Sequence, residues 1–132
     1  MKFENVRIYN FEHALRGMRN PKNSWDKSDS LYGIGTPEEY VAARNEMVER
    51  WLVHMPFEKD TPEAATVAEN ITQALDRNGL VAFGATGSCV EWALIGPEDM
   101  RLAKQLIKGG SEHRKFLRQI LVTVDITAPL YW

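Results

Sequence analysis

The densest chemistry in this sequence is His113-Arg114-Lys115 followed by Arg118. Three cations and an imidazole this close together suit an anion, because charge-assisted hydrogen bonds to phosphate or carboxylate are the strong ones. Gly109-Gly110 and Ser111 precede them, and a turn of that kind can aim backbone N–H groups at the same oxygens. The alternative is a solvated segment end, with cations favoured beside the C-terminus of a preceding helix. Arg118 bears on the choice. Alternation along FLRQILVTVDI places it with Phe116, Ile120, Val122, Val124 and Ile126, where a buried guanidinium needs a partner.

A second candidate lies earlier. Arg16, Arg19, Asn20, Trp25, Asp26, Lys27, Ser28 and Asp29 occupy or adjoin the polar stretch NPKNSWDKSDSLYGIG, residues 20–35. Its length without a usable period is unusual for a mere connection. A tryptophan among charges can stack on a planar ring while Arg16, Arg19 and Asp26 bind polar edges. Equally, Trp25 can plug the core with the charges in solvent. Weaker signals are set aside. GATGSC, residues 84–89, lacks the GxxxxGK[ST] spacing of a phosphate loop and reads as a Gly-rich turn. Cys89 reads as a small buried residue. His13, His54 and His113 have no metal-type spacing, so no metal site is expected.

These residues must be positioned by elements legible in the pattern. KFENVRIYNF alternates as an opening strand, and EHALRGMR offers one or two helical turns broken at Gly17. Thr36-Pro37-Glu38-Glu39 forms a capping box, and Tyr40, Met47, Val48, Trp51, Leu52 and Met55 then make one buried helical stripe ended by Pro56. Thr61-Pro62-Glu63 starts a second helix that stops at Gly79, and Gly96-Pro97-Glu98-Asp99 starts a third that closes at Gly109-Gly110. LVAF, CVEWALI and the β-branched second half of FLRQILVTVDI are strand candidates. The fold expected is α+β: one domain over residues 1–132, a mostly antiparallel sheet with about three packed helices. Asp125-Ile126-Thr127-Ala128-Pro129 reads as a strand leaving into a helix that Leu130, Tyr131 and Trp132 only begin. The expectation is therefore an incomplete N-terminal portion of a longer protein, against the alternative of a docked tail.

Bulk properties bound the function. A chain of 132 residues buries one core, and a net charge of −2 argues against a generic nucleic-acid binder. One cysteine excludes an intrachain disulfide framework, and no apolar run approaches the roughly 20 residues of a membrane helix. With no signal-peptide pattern at the start, a cytoplasmic location is expected.

The last twenty residues, HRKFLRQILVTVDITAPLYW, resemble the segment preceding the signature helix of flavin-dependent thymidylate synthases. On that resemblance His113 stands for the histidine that approaches the flavin, and Phe116 and Leu117 match its apolar pair. Arg118 and Gln119 stand where Glu and His are expected, and the Arg-His-Arg motif is absent, so the chain by itself is not expected to be a competent synthase. The resemblance implies FAD as cofactor, hydride from NADPH, dUMP and a folate-derived carbon as substrates, and sites between subunits of a tetramer. FEHALRGMRNPKNSWDKSDS and IGPEDMRLAKQLIKGGSEHRKFLRQ are also similar to the N-terminal part of longer, uncharacterised proteins of Firmicutes and their phages. Two functions are expected in consequence. One is a nucleotide- or flavin-binding domain using His113, Arg114 and Arg118. The other is a non-enzymatic phage accessory protein that binds a protein partner or small nucleotide, with homo-oligomers open in either case.

Overall fold

The computed structural model describes residues 1–56, 58, 60–78, 80–83 and 89–128. The expected turn over 84–88, the helix stop at Gly79 and the chain end at 129–132 lie outside them. Within the described residues the fold is α+β, with antiparallel strand pairing throughout. The strands form two sheets rather than one. β1 (Lys2–Tyr9) pairs with β5 (Leu121–Thr127) as a two-stranded ribbon, and β2 (Leu31–Gly35), β4 (Val90–Leu94) and β3 (Leu80–Phe83) form a second sheet in the order β2-β4-β3.

α2 (Pro37–Val53) starts on the capping box that its sequence predicts. Thr36 Oγ1 accepts from Glu39 N at 3.3 Å, and Glu39 Oε2 accepts from Thr36 N at 2.7 Å. Its buried stripe is Tyr40, Met47 and Val48; Trp51, expected at the centre, is only half-buried and donates its indole N–H to Ile95 O at 3.0 Å. Tyr40 and Met47 pack on Val90, Trp92 and Leu94 of β4. α3 (Pro62–Asn78) is tied to α2 where the Tyr40 hydroxyl and Arg44 both donate to Asp76. Burial raises the Tyr40 phenol above its ordinary pKa, and the bond to Asp76 adds to the effect.

β4 alternates as a strand between two cores should. Val90, Trp92 and Leu94 are buried, while Glu91 is exposed and Ala93 half-buried. The Trp92 ring lies across β2 at Gly33 and Gly35. A Cβ at Gly33 would collide with the indole, so only glycine lets the ring approach there. On the other side of the sheet, α1 (Phe11–Arg19) and α4 (Pro97–Lys108) enclose Leu15, Met18 and Phe116, with Tyr32, Leu102, Ala103 and Leu106 packed around them.

α1 is longer than its sequence suggests. It runs through Gly17, where the Gln119 side chain lies 3.1 Å from the place a Cβ would take. The chain's last apolar stretch also differs from expectation. Lys115–Gln119 is a 3-10 turn against α1, and the strand begins only at Leu121. That turn breaks the alternation: Phe116 is buried, but Arg118 is exposed and has no need of a buried partner.

Candidate functional site

The long early stretch is ordered from within. It contains 3-10 turns at Asn20–Lys22 and Trp25–Lys27 and then becomes β2. Its anchor is Asp99, which is fully buried in the first turn of α4. Asp99 Oδ1 accepts from Arg19 Nε at 2.6 Å, and Oδ2 accepts from the Ser28 and Ser30 hydroxyls, both at 2.6 Å. Arg19, expected to face a ligand, is 6% exposed and also reaches Ser24 O, so its guanidinium holds the loop instead.

Asp29 completes the attachment. Gly96, the residue at the helix start, has no side chain to cap α4, and Asp29 fills the space its Cβ would take. The Asp29 carboxylate accepts from Glu98 N at 2.8 Å and Asp99 N at 3.0 Å, capping the helix from a distant segment. Arg50 of α2 holds the Asp29 carbonyl at 2.7 Å. Asp29→Ala is expected to cost about 1–2 kcal/mol, as for loss of a good N-cap, with Asp29→Asn retaining part of it. Chemical denaturation of the two variants checks the order.

Of the other residues singled out in the loop, Arg16 and Trp25 meet: the guanidinium carbon lies 5.6 Å from the indole centroid. The Trp25 N–H is held by Asn20 Oδ1 at 2.6 Å, and the side chain is 44% exposed. Asp26 is at the surface. The basic segment lies apart from this pair. His113, Arg114 and Arg118 are exposed, and the His113 ring rests against Gly109. Among the described residues none of the three side chains makes a hydrogen bond or ion pair, whereas Lys115 pairs with Glu112 at 2.5 Å. No hydrogen bond, ion pair or ring contact between described residues joins this segment to Trp25. Nor is any group of three or more His, Cys, Asp or Glu among those residues placed to hold a metal ion.

A concave feature lies elsewhere. A groove of about 780 Å³ opens between the β1–α1 junction, residues 8–13, and the face of β2 and β4 that α2 does not cover. Register explains it. Tyr32 pairs with Ala93 and Ile34 with Glu91, so these four share the face away from α2. Tyr32 and Ala93 are half-buried, whereas Ile34 is 72% exposed and Glu91 is exposed. Tyr9, Phe11, Glu12 and His13 form the opposite wall. Among the described residues the lining therefore mixes apolar and aromatic side chains with Asn10 and Ser30, two carboxylates and one imidazole, and includes no Lys or Arg.

At the inner end the Tyr32 hydroxyl is buried without a hydrogen-bond partner among the described residues. Burial raises this phenol well above its ordinary pKa, and the Asp99, Glu12 and Asp29 carboxylates push the same way. Ser30 acts in the opposite direction, but its proton is directed to Asp99. Tyr32 thus stays a neutral phenol across the physiological range.

Sequence reasoning missed this groove because its walls come from three separated segments. One signal was present: Glu91 alternates with the buried Val90 and Trp92, so an acidic residue had to stand on the far face of a central strand. Comparison with protein-family models, curated proteins and solved structures finds no match.

Proposed function

We propose that this chain is a non-catalytic interaction module that takes a basic, apolar-flanked segment of a partner protein into the groove between β1–α1 and β2–β4. The observation that carries this reading is the chemistry of the lining. Tyr9, Phe11, Ile34 and Tyr32 offer apolar and aromatic contact, while Glu12 and Glu91 supply negative charge. A lysine or arginine with its long apolar stem suits such walls, since the stem packs and the head pairs. A phosphate in the same place would meet two carboxylates. The Asp99 attachment further supports a binding role, because it makes β2 a firm wall.

The second reading is a nucleotide or flavin phosphate held by His113, Arg114 and Arg118. It is supported by the lack of side-chain partners for all three among the described residues. It expects a yellow protein absorbing at about 450 nm, and dUMP or FAD affinity that falls with salt and with Arg114→Ala.

The groove reading is tested by selecting random displayed peptides against the whole chain. Enriched sequences should carry Lys or Arg beside aromatic or branched aliphatic residues. Glu91→Lys should weaken their binding about tenfold or more, by turning a charge-assisted contact into repulsion, without changing the melting temperature. Enrichment of acidic peptides, or indifference to Glu91→Lys, would overturn it.

A further inference from the structure

The β1–β5 ribbon has two chemically different faces. Register places Phe3 opposite Ile126 and Ile8 opposite Val122, and directly opposed residues share a face. Val124 lies between Val122 and Ile126 on that side of β5, and Val6, two residues before Ile8, stands on that side of β1. The irregularity between Glu4 and Arg7 allows β1 one extra residue without breaking the set. The reverse face carries Glu4 opposite Asp125 and Tyr9 opposite Leu121, with Thr123 between. That side carries the ion pair from Lys2 to Glu4 at 2.6 Å beside the exposed Tyr9 and Leu121.

Most described side chains of this apolar face are exposed. Phe3 is 58% exposed, Val6 54%, Val122 53%, Val124 37% and Ile126 47%, while Ile8 is half-buried. Two strands alone are marginal in water, and an antiparallel sheet with one apolar face normally packs that face on something. Contiguous exposed apolar surface of this kind marks an interaction site.

We propose that a second copy of this chain covers it, the two ribbons packing face to face about a two-fold axis. Two features favour a copy over an unlike partner. First, the described residues of the face include no ionisable group, so identical faces meet without repulsion. Second, the area suits a weak, transient homodimer. Five side chains at these exposures offer roughly 400 Å² per copy, or about 800 Å² in all, below the standard size of stable specific interfaces. The association should accordingly be weak and concentration-dependent, with dissociation at about 10–1,000 µM. Only Ile8 of this face also lines the groove, and Phe3 and Val124 do not, so either proposal can fail without the other.

Sedimentation velocity on the whole chain from about 5 µM to 1 mM tests it. The weight-average mass should climb from 15.1 kDa toward twice that value. Val124→Lys and, separately, Phe3→Ser should each weaken association at least about tenfold with the circular-dichroism melt intact. Thr123→Lys, one residue along on the reverse face, should leave association unchanged. A mass of 15.1 kDa at every concentration, or equal effects of Val124→Lys and Thr123→Lys, would overturn the proposal.

Discussion

Asp99→Ala is expected to lower the unfolding free energy by about 3–5 kcal/mol, the range for removing one partner of a buried ion pair. The charge on Arg19 would then be left 6% exposed with no counter-ion, and the Ser28 and Ser30 hydroxyls would lose their common acceptor. A domain of this size is stable by only about 5–15 kcal/mol, so the variant should unfold at markedly lower denaturant. Arg19→Met in the Asp99→Leu background should recover much of the loss, because an apolar pair of similar volume carries no desolvation penalty. A loss under about 1 kcal/mol for Asp99→Ala would show that the loop is not held by this residue.

Trp92→Ala should be nearly as damaging, at about 3–5 kcal/mol. The indole is 9% exposed, sits against Tyr40 with ring centroids 6.1 Å apart, and occupies the space over two glycines of β2. Gly33 and Gly35 contribute no side chain to fill the space its loss would leave. The reciprocal change, Gly33→Val, should cost about 1–3 kcal/mol by forcing the ring out of place. If Trp92→Ala and Gly33→Val both proved mild in urea denaturation, the sheet would not be packed as described.

What could be read in advance was what is local. The capping box of α2 uses residues three apart, its apolar stripe repeats with the helical period, and β4 alternates within five residues. The α+β class was therefore legible. Pairing was not: nothing near β1 announces that it pairs with β5, more than a hundred residues on, so the one sheet expected is two among the described residues. The start of α4 shows the same limit. Gly96 looks like a bare helix start, and its cap arrives from Asp29.

Part of the polar loop serves the fold, and composition hides this for a related reason. Arg19, Ser28, Asp29 and Ser30 have the composition of a ligand-binding segment, yet all four are spent on α4 through contacts spanning 66–80 positions. Composition cannot distinguish a polar group that awaits a ligand from one already satisfied inside the protein. Arg118 was placed on an apolar face because alternation was extended backwards through Phe116. A 3-10 turn does not keep a two-residue period, and the phase is lost at Ile120.

The groove reading is tested most directly by amide-resolved NMR of the whole chain during titration with a peptide in which Lys and Arg are flanked by Phe and Ile. Shifts are predicted at residues 9–13, at Ile34 and at Glu91–Ala93, with Arg114 and Arg118 unmoved; a parallel titration with dUMP should leave the groove residues unmoved. Saturable dUMP shifts centred on His113, Arg114 and Arg118, with a silent groove in both titrations, would contradict the account and favour the nucleotide reading.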